Sequence, residues 1–278
     1  MKRIGFVDNK LDNFHANVFL KAYREALKAR GAVVAGCFGL DVDNARAWGA
    51  HNDVPWFESV EKLNANVDAF MILAPSNPEL HLQLAEMVFP LGKTTYVDKT
   101  FAPDLATAEK IFALADEHKT AIQTTSALRY TNVQEHLRAS KAGDVKHMIT
   151  WGGGRSFAEY AIHPVELLIS VMGYDAASVM RRGTEELSQL LVNFSGGRTG
   201  VTNVYTKGET PFAASLTTDH ETKWMAVDTG KIFVNNAAAV LDLFESGKPN
   251  IDRRETLVIR KILDAAENPA ARNGFIEL

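Results

Sequence analysis

Apolar and polar residues follow two different rhythms along this chain, and the change falls near residue 125. Before it, short segments at 4–7, 32–38, 69–74, 94–97 and 121–125 read as strands. Between them, 14–29, 43–49, 79–89 and 104–118 place apolar residues every three or four positions, the spacing of amphipathic helices. The unbroken apolar run 69–74 suits a strand covered on both faces. Strictly alternating strands and helices predict a parallel sheet joined by right-handed crossovers.

After residue 126 a linking helix is expected over 131–142. Short strand-like segments follow at 146–151, 178–182, 187–194, 199–206, 213–218, 223–228 and 231–234. Turn signals such as Ser195-Gly196-Gly197 and Lys207-Gly208 separate them, a pattern that favours an antiparallel sheet. A last helix, 253–268, stops before Pro269. The expected architecture is an α/β Rossmann-like parallel-sheet domain over 1–125, then an α+β domain over 126–278 with a mainly antiparallel sheet. A broad sheet face needs cover, so a homodimer or homotetramer is expected.

Composition narrows the function classes. A formal charge of -4 gives no footprint for nucleic acid or for a basic membrane-binding surface. The single cysteine, Cys37, lies in an apolar run; it excludes an intramolecular disulfide and reads as a buried strand residue. The first apolar run stops at Asp8, too short for a signal-peptide core, and no stretch reaches the ~20 apolar residues that span a bilayer. The expected location is the cytoplasm.

Two segments carry candidate chemistry. The strand at 94–97 ends in Asp98-Lys99, and a lysine at the carboxyl end of a parallel strand faces the ligand crevice of an open α/β sheet. There it would polarise a substrate oxygen or sit near a cofactor; the plainer reading is a solvated lysine paired with Asp98. In Glu159-Tyr160-Ala161-Ile162-His163-Pro164-Val165-Glu166, His163 is a candidate acid/base group. Its plainer reading is a helix-start histidine ahead of Pro164, which suits a first turn. Glu159 either orients His163 or complements the helix dipole. Glu159, His163 and Glu166 would share a helical face, but two carboxylates and one imidazole without further ligands predict no metal. Arg155 and Tyr160 would hold substrate oxygens, although the preceding Gly152-Gly153-Gly154 equally reads as a loose connection.

Ala74-Pro75-Ser76-Asn77-Pro78-Glu79-Leu80-His81, then Gly92-Lys93, then Asp98-Lys99-Thr100-Phe101 resemble a family pattern in order and spacing. It is that of the glucose–fructose oxidoreductase/inositol dehydrogenase (Gfo/Idh/MocA) family: a Pro-Asn turn with a following His, a Gly-Lys pair, and a Glu-Lys-Pro tripeptide. Glu159, His163 and Glu166 are similar to the family's Asp, His and Asp, and Arg129-Tyr130 to a basic–aromatic pair near its crevice. The resemblance runs over nearly the whole chain.

What it implies is oxidation or reduction of a polyol or other sugar-like molecule with NAD or NADP, in a crevice between two halves. Lys99 and His163 would be catalytic, and Glu159, Tyr160, Arg155, Arg129 and Tyr130 would bind substrate. Asp8, Asn9, Lys10, Asp41, Pro75, Ser76, Asn77, His81, Asp98 and Lys99 would contact the cofactor, Asp41 at the ribose.

Asp98 stands where the family has Glu, and Thr100 where it has Pro. The larger departure is the first strand, which runs into Asp8-Asn9-Lys10-Leu11-Asp12-Asn13-Phe14 without a glycine. Glycines there let backbone amides approach a pyrophosphate, and Asp8 and Asp12 add negative charge that Lys10 offsets only in part. This departure keeps two other classes open: a lyase or hydrolase on the same scaffold with the cofactor weakened or lost, and a non-catalytic ligand-binding protein.

Overall fold

The first apolar run becomes the central strand of a parallel sheet in the computed structural model, which describes residues 1–140 and 143–278. That strand is β1 (Lys2–Asp8), buried from Ile4 onward. It is followed by α1 (Phe14–Arg24), β2 (Ala32–Gly39), α2 (Val42–His51), α3 (Val60–Asn64) and β3 (Ala69–Ile72). Then come α4 (His81–Val88), β4 (Thr95–Asp98), α5 (Leu105–Glu117) and β5 (Ile122–Thr125). The sheet order is β2-β1-β3-β4-β5, parallel throughout.

Side-chain oxygens mark the helix starts. Asn13 accepts from the Ala16 N–H (3.0 Å), Asp41 from Asn44 (3.1 Å), Ser59 from Lys62 (3.3 Å) and Asp104 from Thr107 (2.7 Å). Each such cap stabilises its helix by about 1 kcal/mol. The first helix stops at Arg24, short of the expected residue 29; a single turn, Lys28–Arg30, then ends at Gly31 with φ +68°.

Residues 55–57 run beside β2 in parallel: Cys37 N–H donates to the Pro55 carbonyl (2.8 Å) and Phe57 N–H to the Cys37 carbonyl (2.9 Å). The chain thus builds outward from β1 on one side and then crosses to β3 on the other. Strand order reverses at β1/β3, the switch point where open α/β sheets bind ligands.

The other sheet begins after α6 (Asn132–Ser140); the last two positions of the helix expected over 131–142, Lys141 and Ala142, lie outside the described residues. It comprises β6 (His147–Gly153), β7 (Ala176–Gly183), β8 (Leu187–Phe194), β9 (Thr199–Tyr205), β10 (Ala213–Thr217) and β11 (Thr222–Ala226). Helices α7 (Phe157–Tyr160) and α8 (Ile162–Met172) intervene after β6. With β12 (Ile276–Glu277) the order is β11-β10-β6-β9-β8-β7-β12, antiparallel except for the β6–β9 pair. The expected fold class is the one observed. Among the described residues no helix is long and apolar enough to cross a membrane.

One element differs from expectation. The segment 231–234 is no strand: α9 (Ile232–Ser246) starts there. A four-residue apolar run has no period of its own, and only the longer window through Phe244 shows helical spacing. Ala237, Val240, Leu241, Leu243 and Phe244 join the same core as Phe6, Phe19, Tyr23 and Tyr96. Arg30 secures the helix, donating to Glu245 (2.6 Å) and the Ala238 carbonyl (3.0 Å) and pairing with Asp242 (2.9 Å).

The chain therefore divides into Met1–Thr125 with Phe233–Asp252, and Ser126–Ile232 with Arg253–Leu278. The expected second domain, continuous over 126–278, is interrupted by this return of 233–252 to the first unit. Helix α10 (Arg253–Glu267) then resumes the second unit. Leu241 is fully buried, so Leu241→Ala is expected to cost the first unit about 2–5 kcal/mol. Exposed Lys248→Ala should stay within about 0.5 kcal/mol in the same urea titration.

Candidate functional site

The carboxyl edge of the first unit's sheet is built around Asp8, the last residue of β1 and 1% exposed. Its carboxylate accepts from Lys10 N–H (3.1 Å) and Asn13 Nδ2 (2.9 Å), and also from the Asn9 and Ala74 backbone amides. Ala74 follows β3, across the switch point, and sits at φ +41°, a left-handed conformation that alanine rarely adopts. Asn13 serves twice, capping α1 through Oδ1 and holding Asp8 through Nδ2. Burial pushes the Asp8 carboxyl up to about 6, against the pull of these four donors.

The turn therefore keeps its amide donors but hands them to an internal carboxylate, where a dinucleotide-binding domain would offer them to a pyrophosphate. The residues fit that group only once the Asp8 charge is removed. Asp41, the candidate ribose ligand, is committed through one oxygen to capping α2; its other oxygen lies 3.8 Å from the exposed Lys10 ammonium.

Two strands further along, Asp98 is fully buried at the end of β4. Its Oδ2 lies 2.5 Å from His15 Nδ1, while Oδ1 accepts from the Tyr96 hydroxyl (3.2 Å) and the Lys99 amide (2.9 Å). Burial works to raise the Asp98 carboxyl, but His15 and Lys99 hold it below the ordinary carboxylate range. His15 was not singled out from the sequence. It is packed among Phe14, Phe19 and Phe233, and no local pattern joins it to a residue 83 positions away on another strand.

Lys99, 9% exposed, does not use Asp98 as its side-chain partner; its ammonium donates to the Pro75 carbonyl (3.0 Å), and a cis peptide bond leads on to Thr100. Pro75, exposed Ser76 and half-buried Asn77 thus share the loop that receives Lys99, with Asn77 bonded to Glu79 (2.9 Å). His81 is a correction: it is fully buried, its two ring nitrogens at the Phe101 (3.0 Å) and Leu73 (2.9 Å) carbonyls. It braces the loops after β3 and β4 from within and presents no free ring nitrogen to a ligand.

In the second unit, His163 lies in the first turn of α8 with Nδ1 2.9 Å from Ser126 Oγ. The Ser126 amide donates to Glu166 Oε2 (2.8 Å), and Glu166 Oε1 accepts from Arg129 Nε (3.1 Å). Arg129 also donates to Glu255 of α10 (2.5 Å). Burial works to lower the Arg129 guanidinium, but Glu166 and Glu255 keep it charged. Arg129 is thus a second correction: a candidate substrate ligand is committed to an internal ion-pair network, with Tyr130 half-buried beside it. Glu166 belongs to that network too, so it does not join Glu159 and His163 on a common outward face.

The rings of Tyr160 and Phe212 flank His163, each with its centroid 5.8 Å away. The glycine run before them is close packing rather than a loose connection. A Cβ on Gly153 would come within 2.6 Å of the Tyr205 carbonyl, and one on Gly154 within 2.0 Å of the Tyr160 ring. Exposed Arg155 precedes the short helix α7, which Ser156 caps and which carries half-buried Glu159 and Tyr160.

A parallel sheet with its ligand edge at a β1/β3 switch, followed by a mostly antiparallel sheet with a helix-start histidine, defines a Rossmann-type enzyme scaffold. Residues 9–126 match the family model for Gfo/Idh/MocA, described as an oxidoreductase family with an NAD-binding Rossmann fold. Curated proteins show no match to the sequence.

Solved structures share the fold along its whole length. The scyllo-inositol dehydrogenase of Lactobacillus casei aligns at TM-score 0.81 and 13% identity, over 100% of this chain and 98% of its own. The myo-inositol 2-dehydrogenase of Lactobacillus plantarum aligns at 0.82 and 12%, over 100% and 99%. An oxidoreductase of Agrobacterium radiobacter, solved with NAD+, L-tartaric acid and magnesium, aligns at 0.78 and 14%, over 99% and 98%.

Two measurements check this geometry. Glu166→Ala leaves the buried Arg129 guanidinium to Glu255 alone and takes the acceptor from the Ser126 amide, and is expected to cost about 3 kcal/mol by chemical denaturation. For Asp8 the folded carboxyl lies near 6, above its ordinary 3.8, so the folded state keeps a proton that the unfolded state loses first. Stability from this group is full below about pH 4, falls as pH rises to about 6 and is flat above, by up to about 3 kcal/mol. The Tm difference between wild type and Asp8→Asn should open over that interval.

Proposed function

We propose that this chain is a nicotinamide-dependent oxidoreductase of the cytoplasm that interconverts an alcohol and a carbonyl on a sugar-like polyhydroxylated molecule. The observation that carries the reading is the family match over the Rossmann half, within which Lys99 stands at the carboxyl end of β4. Inositol dehydrogenases among the proteins of like fold support a polyol as the substrate class.

Bound nicotinamide supplies the hydride acceptor or donor. His163 takes the hydroxyl proton in oxidation and returns it in reduction. Ser126 Oγ, 2.9 Å from Nδ1, orients the ring. The Lys99 ammonium polarises the reacting oxygen, its position set by the Pro75 carbonyl. Asn9, Lys10, Asp41, Pro75, Ser76 and Asn77 would hold NAD or NADP, while Glu159, Tyr160, Arg155 and Tyr130 would bind substrate hydroxyls. The second unit's sheet is the proposed surface for a homodimer or homotetramer.

A second reading, a non-redox lyase or hydrolase on the same scaffold, is favoured by one observation: the Asp8 carboxylate occupies the amides of the first turn. Calorimetry with NAD+, NADH, NADP+ and NADPH at about pH 6 and about pH 8 separates the two. Binding of at least one is expected, and His163→Ala should then lower kcat by roughly 10²–10⁴ while leaving dinucleotide affinity unchanged. Binding of none of the four, with turnover of a sugar acid or glycoside, would establish the second reading instead.

A further inference from the structure

We propose that Asp8 is a built-in competitor for the dinucleotide pyrophosphate, so that cofactor enters the β1–α1 turn only with Asp8 neutralised, taking up one proton per molecule bound. The inference rests on the dinucleotide-binding reading and deepens it. Four donors converge on one carboxylate from three places: Asn9 and Lys10 in the turn, the Asn13 cap of α1, and Ala74 beyond β3. They are dipoles set to receive a negative charge at the switch point of the sheet, and such a cluster is an anion site. The anion it holds is part of the chain.

Among the described residues no ion pair to Asp8 is formed. The titratable groups on the surrounding elements are Lys10 and Asp12 in the turn, His15 on α1, Asp41 at the start of α2, Asp98 at the end of β4, and Lys99, whose ammonium is held by the Pro75 carbonyl (3.0 Å). Lys10 points toward Asp41 at 3.8 Å, and His15 is held by Asp98 at 2.5 Å. Asp12 is exposed. A pyrophosphate arriving at these amides would therefore meet the uncompensated Asp8 charge and compete with it for every donor. A proton on Asp8 removes both obstacles, because the neutral carboxyl releases donors and gains an O–H to offer a phosphate oxygen. Burial already holds the carboxyl near 6, so that proton is accessible within a neutral to mildly acidic titration.

The distinguishing property is a proton count, not a rate. NAD+ and NADP+ are titrated into the full chain by calorimetry between about pH 6 and about pH 8, in buffers of different ionisation enthalpy. Wild type is expected to take up about one proton at the upper end, with affinity falling as much as tenfold per pH unit above the carboxyl's midpoint. Asp8→Asn should bind more tightly at high pH, with a flat profile and no uptake. His15→Gln should keep the proton uptake, which assigns it to Asp8 rather than to the His15–Asp98 pair.

Circular dichroism checks each variant, and Asp8→Gly repeats the test if Asp8→Asn does not fold. Binding by Asp8→Asn alone, with wild type silent at high pH, supports the competition. Equal affinity and equal proton uptake in wild type and Asp8→Asn would overturn it and leave the oxidoreductase reading standing. Silence from wild type and both variants at every pH would overturn both.

Discussion

A parallel sheet delivers the backbone amides at the carboxyl ends of its strands to the loops beyond, and a buried amide without an acceptor costs more than a made hydrogen bond returns. At the β1/β3 switch point that requirement is met by one side chain, Asp8. The glycine-free turn, the left-handed Ala74 and the double use of Asn13 all follow from seating this carboxylate. A glycine turn leaves its amides open to a guest; an aspartate turn fills them from within. The first unit thus keeps the framework of a dinucleotide-binding fold while changing the electrostatics of its phosphate end.

The rest of that edge shows the same economy of donors and acceptors. Asp98 and His15 form a buried pair, which leaves the Lys99 ammonium to the Pro75 carbonyl. His81 ties the loops after β3 and β4 to each other. In the second unit Arg129 is the hub: Glu166 and Glu255 neutralise it, and Glu166 in turn takes the amide of Ser126, whose hydroxyl meets His163. Such a network holds the imidazole in one orientation. Residues that look like ligands in sequence can instead be the support of a neighbouring one.

The strands of both sheets and most helices follow from periodicity and caps, because those signals are local. Asn13, Asp41 and Asp104 announce their helices within three residues. The segment 231–234 misled because four apolar residues fit either period; the core that receives α9 from across the chain decided the outcome. Residues 55–57 escaped notice because three residues around a bridge at Trp56 make no pattern, and β2 supplies their partner.

Among the candidate residues, Lys99 and His163 could be named from strand-end position, residue chemistry and family resemblance, each a property of a short segment. The partners that define them could not. Composition and local spacing determined the fold class, the absence of a glycine cradle, and the residue types on offer for chemistry. Only the tertiary structure decided that Asp8 takes the amides, that Asp98 belongs to His15, and that Arg129 is a buried counter-ion. Hydrogen bonds and ion pairs between positions tens of residues apart depend on strand order and burial, which no single segment encodes.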